Sequence, residues 1–141
     1  MAVFKAIRNI PSVQTHPITT TSTITKGVPV RLVSGVITVC ATNVCDVLGI
    51  AHETVASGNA GTIKVLPAVG SQGPMIVQVA DTTIAATSTG ICYLLAMATN
   101  AATVSAASTT LGAFFAMTAD LTNVTGCFTG NAFGGVLNLT A

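Results

Sequence analysis

The apolar positions of this chain fall in short runs, rich in Val and Ile and broken every few residues by Gly, Ser, Thr or Asn. That pattern predicts strands between turns rather than helices. Val28 to Val33, the turn pair Ser34-Gly35 and Val36 to Cys40 read as a β-hairpin. Pro29 suits a first-residue or edge position, because proline has no N–H to give a ladder. Asp46 to His52 and Thr62 to Leu66 follow as strands around the polar loop Ser57-Gly58-Asn59-Ala60-Gly61. Met75 to Val79 is a further strand, dominated by β-branched residues.

The second half repeats this rhythm. Gly90 to Leu95 parallels Gly27 to Leu32, and Leu111-Gly112-Ala113-Phe114 parallels Leu48-Gly49-Ile50-Ala51, both at an offset of 63 residues. Few residues are identical at that offset, so the match suggests two similar β-units without proving them. Two such units closing one core would hide strand edges. Residues 94–119 are rich in alanine, which favours helix. Thr99, Asn100, Thr103, Ser105 and Ser108 to Thr110 interrupt that stretch, leaving room for one short helix or helical turn.

The first 26 residues differ. Thr19 to Thr25 is extended in preference, and Pro11 and Pro17 each remove a backbone donor. The expected organisation is therefore an extended N-terminal arm, 1–26, ahead of a β-rich body, 27–141. The fold class is all-β, a small barrel or sandwich. Val3, Phe4, Ile7 and Ile10 are the arm's candidate anchors on a neighbour, and its removal is expected to leave the body folded.

Composition changes this picture in one respect. Charged residues are 6% of the 141, against about 25% in ordinary globular chains. No run approaches the roughly 20 apolar residues of a spanning helix; the longest, Ile91 to Ala98, has eight. The N-terminus lacks the apolar stretch of a signal peptide, which points to synthesis in a cytoplasm. A surface so poor in charge is weakly protected against association, so a homo-oligomer or a docked position on a larger assembly is expected. The charges are also divided. Lys5, Arg8, Lys26 and Arg31 give +4 through residue 45, whereas Asp46, Glu53, Asp81 and Asp120 against Lys64 give −3 thereafter. Four scattered cations are too few for a nucleic-acid footprint.

Little supports catalysis. No pair among the four acids and two histidines has a spacing that argues for shared work, and Glu53 beside His52 points the opposite way on a strand. Phosphate-cradling and nucleophile-elbow motifs are missing. Cys40, Cys45, Cys92 and Cys127 follow no zinc spacing. A Cys40–Cys45 disulfide across a hairpin is one option, which assembly in a cytoplasm opposes. Cys92, Cys127, Phe114, Phe115 and Phe128 sit in apolar runs and read as core. Asn123-Val124-Thr125 and Asn138-Leu139-Thr140 would be glycosylation acceptors only in a secreted chain. No cofactor or metal is expected.

The succession Gly27–Val33, Ser34-Gly35, Val36–Cys40, Val47-Leu48-Gly49-Ile50-Ala51, Ser57–Gly61 and Thr62–Leu66 resembles the capsid decoration, or cement, proteins of tailed phages. It covers about forty residues and consists mostly of turn geometry; the low charge and the arm depart from the family. The resemblance implies a β-barrel or β-sandwich body, often a homotrimer, on the outer surface of the virion. Its partners would be the major capsid protein and further copies of itself, with no nucleic acid or membrane involved. Phe4, Lys5, Ile7 and Arg8 are the residues expected to make that contact, through a strand added to a partner's sheet edge. Other virion parts of this size, such as a head-fibre base, a tail-tube-like protein or a small capsid subunit, fit the same features. A Thr-rich surface binder would need a longer regular array than Thr19 to Thr25.

Overall fold

The computed structural model describes residues 2–19, 23–42, 46–58, 61–98, 101–105 and 112–129. They are almost entirely β; the helical content among them is a single 3-10 turn at Ala86–Ser88. The first unit is a closed barrel in the order β2 (Gln14–Ile18), β4 (Val36–Val39), β3 (Pro29–Val33), β5 (Gly49–Ala51), β6 (Gly61–Pro67). A small hairpin, β7 (Val69–Gly70) and β8 (Gly73–Pro74), leads onward. The second unit is a six-stranded sheet in the order β1 (Lys5–Arg8), β9 (Ile76–Ala80), β13 (Asn123–Phe128), β12 (Phe114–Ala119), β10 (Ile91–Ala98), β11 (Ala101–Ser105).

The expected hairpin is present. Ser34 (φ 51°) and Gly35 (φ 84°) both take positive φ, the signature of the tight turn that suits twisted antiparallel strands. Pro29 is the first residue of β3, as its missing N–H requires. The alanine-rich stretch at 94–98 is strand, not helix. It pairs with β11, and Leu95 is buried completely, so packing overrides local propensity.

The two units share one topology. The strand order β4-β3-β5-β6-β2 of the barrel recurs as β11-β10-β12-β13-β9, antiparallel at each of those neighbour pairs. Individual registers recur too. Val33↔Val36 becomes Ala98↔Ala101, a shift of 65 for both members. Ala51↔Val65 becomes Phe114↔Phe128, shifted by 63, and Ile18↔Gly61 becomes Ala80↔Asn123, shifted by 62. The chain is thus built as two versions of one five-strand unit.

The units differ at the seam. In the barrel, β2 closes onto β4 in parallel at Ile18↔Ile37. In the second unit the N-terminal segment spans the corresponding gap. Its strand β1 pairs antiparallel with β9 (Lys5↔Gln78, Ala6↔Val77), while the Ala102 N–H on β11 donates to the Ala2 carbonyl at 2.8 Å. Thr103 Oγ1 also donates across the gap to the Ala80 carbonyl, at 2.8 Å.

This corrects the expected division into an arm and a body. Residues 2–18 supply one strand to each unit, and Pro17 is accommodated because β2 meets its second neighbour only at Ile18. Thr20 to Ser22 lie outside the described residues; Ile24 forms a bridge with Val55.

Alternation along β5 and β6 divides the interior. Ala51 and Val65 face the barrel core with Val30, Ile37 and Ile63. Ile50 and Leu66 point the other way, into a larger core with Phe4, Val77, Phe114 and Phe128. The three rings of Phe4, Phe114 and Phe128 meet at centroid distances of 5.1–5.9 Å, tilted or edge-on, the geometry aromatic quadrupoles favour.

Asp81 closes β9. Its carboxylate accepts from the N–H groups of Thr83 and Ile84 and from the Thr83 hydroxyl, at 2.9–3.0 Å, in a buried site. Asp81→Ala leaves those donors unmet and should cost about 1–3 kcal/mol. Asp81→Asn, which keeps an acceptor oxygen, should cost less; urea titration of both variants checks the order.

Candidate functional site

Where the N-terminal segment crosses between the units it leaves an open cleft of about 470 Å³. The Phe4 N–H donates to the Gly27 carbonyl at 2.8 Å, and the Gly27 N–H to that of Ala51 at 2.8 Å, which stacks the segment against β5. Gly27 has φ +91°, and a Cβ there would come within 2.7 Å of the Phe4 carbonyl oxygen. Only glycine permits that approach. The cleft floor is apolar, with Val3, Phe4, Ile50 and Leu66; Lys5, Lys26 and His52 also line it. Its size is in the range of pockets that accept ligands or anchor side chains, and its lining contains no acid.

The four residues expected to make contact all lie on or beside β1, but not in one role. Phe4 is a correction: its side chain is 2% exposed and packed on Phe114 and Phe128, so it supports the fold and is not free to grip a neighbour. The cause is local alternation at the seam, which turns Phe4 inward and Lys5 outward. Lys5 and Arg8 are exposed and Ile7 is half-buried, at an irregularity between Ala6 and Arg8 where the register with β9 slips. Ile10, just beyond, is 58% exposed and also lines the cleft. Lys26, Ile50, Leu66 and His52 were not expected there. They come from segments far apart in sequence, and no local pattern signals their meeting.

The other acids make local contacts. Asp46 pairs with Arg31 at 2.9 Å on the surface, a contact worth at most about 1 kcal/mol. Glu53 accepts from the Lys64 N–H, and Asp120 from the N–H groups of Thr122 and Asn123. Those backbone bonds hold the Asp120 carboxyl below its ordinary range. Among the described residues no three His, Cys, Asp or Glu side chains gather as a metal site.

Cys40, Cys92 and Cys127 are buried, while Cys45 lies outside the described residues and with it the Cys40–Cys45 option. Burial pushes the Cys40 thiol up to about 12, the Asp46 carboxylate adding to the rise and the Arg31 guanidinium opposing it. The unfolded chain releases this proton near 9. The stabilisation is therefore complete below that pH and is lost above it, by about 1.4 kcal/mol per pH unit toward 12. Denaturation midpoints should be level to pH 9 and then fall, and Cys40→Ala should flatten the decline.

No protein-family model matches this chain, and no curated protein or solved structure matches it either.

Proposed function

We propose that this protein is a structural binding protein that docks on the outer surface of a larger protein shell, and specifically that it decorates and stabilises the head of a tailed phage. The observation that carries the reading is the outer face of β1, where Lys5 and Arg8 are exposed close to the exposed Ile10, on a chain only 6% charged. Such a surface suits contact with an apolar, mildly acidic protein partner. The turn-and-strand succession of Gly27 to Leu66, which resembles the decoration family, supplies the identity of the shell.

The mechanism is linkage. A ligand that binds only the assembled shell stabilises it by mass action, and several linked copies add avidity. The test is sedimentation of purified protein with phage heads that lack it. Wild type should pellet with the heads, and Lys5→Glu/Arg8→Glu should need at least tenfold more protein for the same occupancy. Failure of the wild type to pellet with any head would sink this reading.

A further inference from the structure

We propose that the cleft receives the β12–β13 turn of a second copy of this chain, with Leu121 as the inserted side chain. Leu121 is 53% exposed and has φ +65°, a left-handed conformation that glycine or asparagine adopts readily and leucine does not. A sequence tuned only for turn geometry would place glycine there. Instead a large apolar side chain is held out into solvent, and strain of this kind concentrates at functional positions.

The turn is also rigid. The Asp120 carboxylate accepts from the N–H groups of Thr122 and Asn123 at 2.9 and 2.8 Å, fixing the backbone on both sides of Leu121. Pre-ordering of this kind lowers the entropy lost on docking. Asp120 is itself exposed, so the knob is a leucine flanked by an anionic carboxylate.

The cleft is complementary in both respects. Val3, Ala6 and Ile10 offer accessible apolar surface over the buried Phe4, Ile50 and Leu66, and Lys5 and Lys26 stand beside it without an acid in the lining. Leu121 is exposed and does not line the cleft of its own copy, so its insertion there takes a second molecule. The contact joins two different surfaces of the chain and does not depend on the shell reading, so the two can fail separately.

The experiment is sedimentation velocity over a concentration series, with thermal melts as a folding control. Wild type should self-associate, more weakly at high salt. Leu121→Gly should weaken association at least tenfold while its melting point stays level or rises, because glycine relieves the positive φ. Lys5→Glu/Lys26→Glu should weaken it comparably. Mixed together, the two variants should associate, since one keeps the cleft and the other the knob. A wild type that stays monomeric at every concentration, association untouched by Leu121→Gly, or a mixture that fails to associate would each overturn the proposal.

Discussion

Replacing Phe4 by alanine is expected to destabilise the folded chain by about 3–5 kcal/mol, a large share of the roughly 5–15 kcal/mol that holds a domain together. Phe4 lies almost at the N-terminus, where substitutions are usually tolerated. Here its ring is buried against Phe114 and Phe128, at 5.6 and 5.1 Å between centroids. These partners come from β12 and the end of β13, so the loss is felt in the second unit. Phe4→Leu, which keeps most of the volume, should cost clearly less. Deleting residues 1–26 should go further and leave no cooperatively folded product, because it removes β1, the barrel strand β2 and the core residues Ile18 and Ile24. Both variants can be read by urea denaturation followed by circular dichroism. A truncated chain that melts like the intact one would show that the N-terminal segment is an appendage after all.

The second large effect is expected at Gly126 and Gly49. A Cβ on Gly126 would lie 1.9 Å from the Phe115 carbonyl oxygen, and one on Gly49 would lie 1.9 Å from that of Leu66. Both contacts are with backbone of a paired strand, which cannot swing aside as a flexible side chain can. Neither glycine has positive φ; the requirement is closeness alone. The strands must separate to admit a methyl group, at a cost of about 3 kcal/mol or more for Gly126→Ala and Gly49→Ala. Gly35→Ala is the informative contrast. It has φ +84° but open space around it, so only the backbone penalty of about 1 kcal/mol applies. Equal midpoints for Gly126→Ala and Gly35→Ala would contradict the close approach.

These two positions fall in corresponding strand pairs, β5–β6 and β12–β13, and so bear on the repeated topology. The repeat was legible at its glycines. Gly27 (φ 91°) and Gly90 (φ 79°) both precede the first strand of a hairpin in a conformation other residues avoid. Between such points identity is low, which the shared topology tolerates because a core position requires only apolar volume. Val30 and Leu95 correspond, as do Ile37 and Ala102, Ala51 and Phe114, and Val65 and Phe128, all of them buried. Larger side chains at some positions offset smaller ones at others.

The strands of the body were readable for the same reason. β3, β4, β6 and β9 lie where Val-rich runs and turn residues placed them, because that local alternation matches what each strand buries. The N-terminal segment was not readable. Its prolines signal an extended chain, and β1 is extended, but its partner β9 lies about 70 residues away. Pairing over such a distance leaves no mark on local sequence. The cleft was hidden for a related reason: Phe4, Lys26, Ile50 and Leu66 are far apart in sequence and are brought together only by the tertiary fold. Lys5 and Arg8 were identifiable as exposed cations, whereas the inward turn of Phe4 depends on which face of β1 meets the core.

The central claim is that this protein binds an assembled shell and strengthens it. Scanning calorimetry of phage heads that lack the protein, with and without a saturating amount of it, tests this most directly. The transition for head disruption should move to higher temperature, with the shift growing with protein concentration as linkage requires. A disruption temperature that does not change at any protein concentration would contradict it.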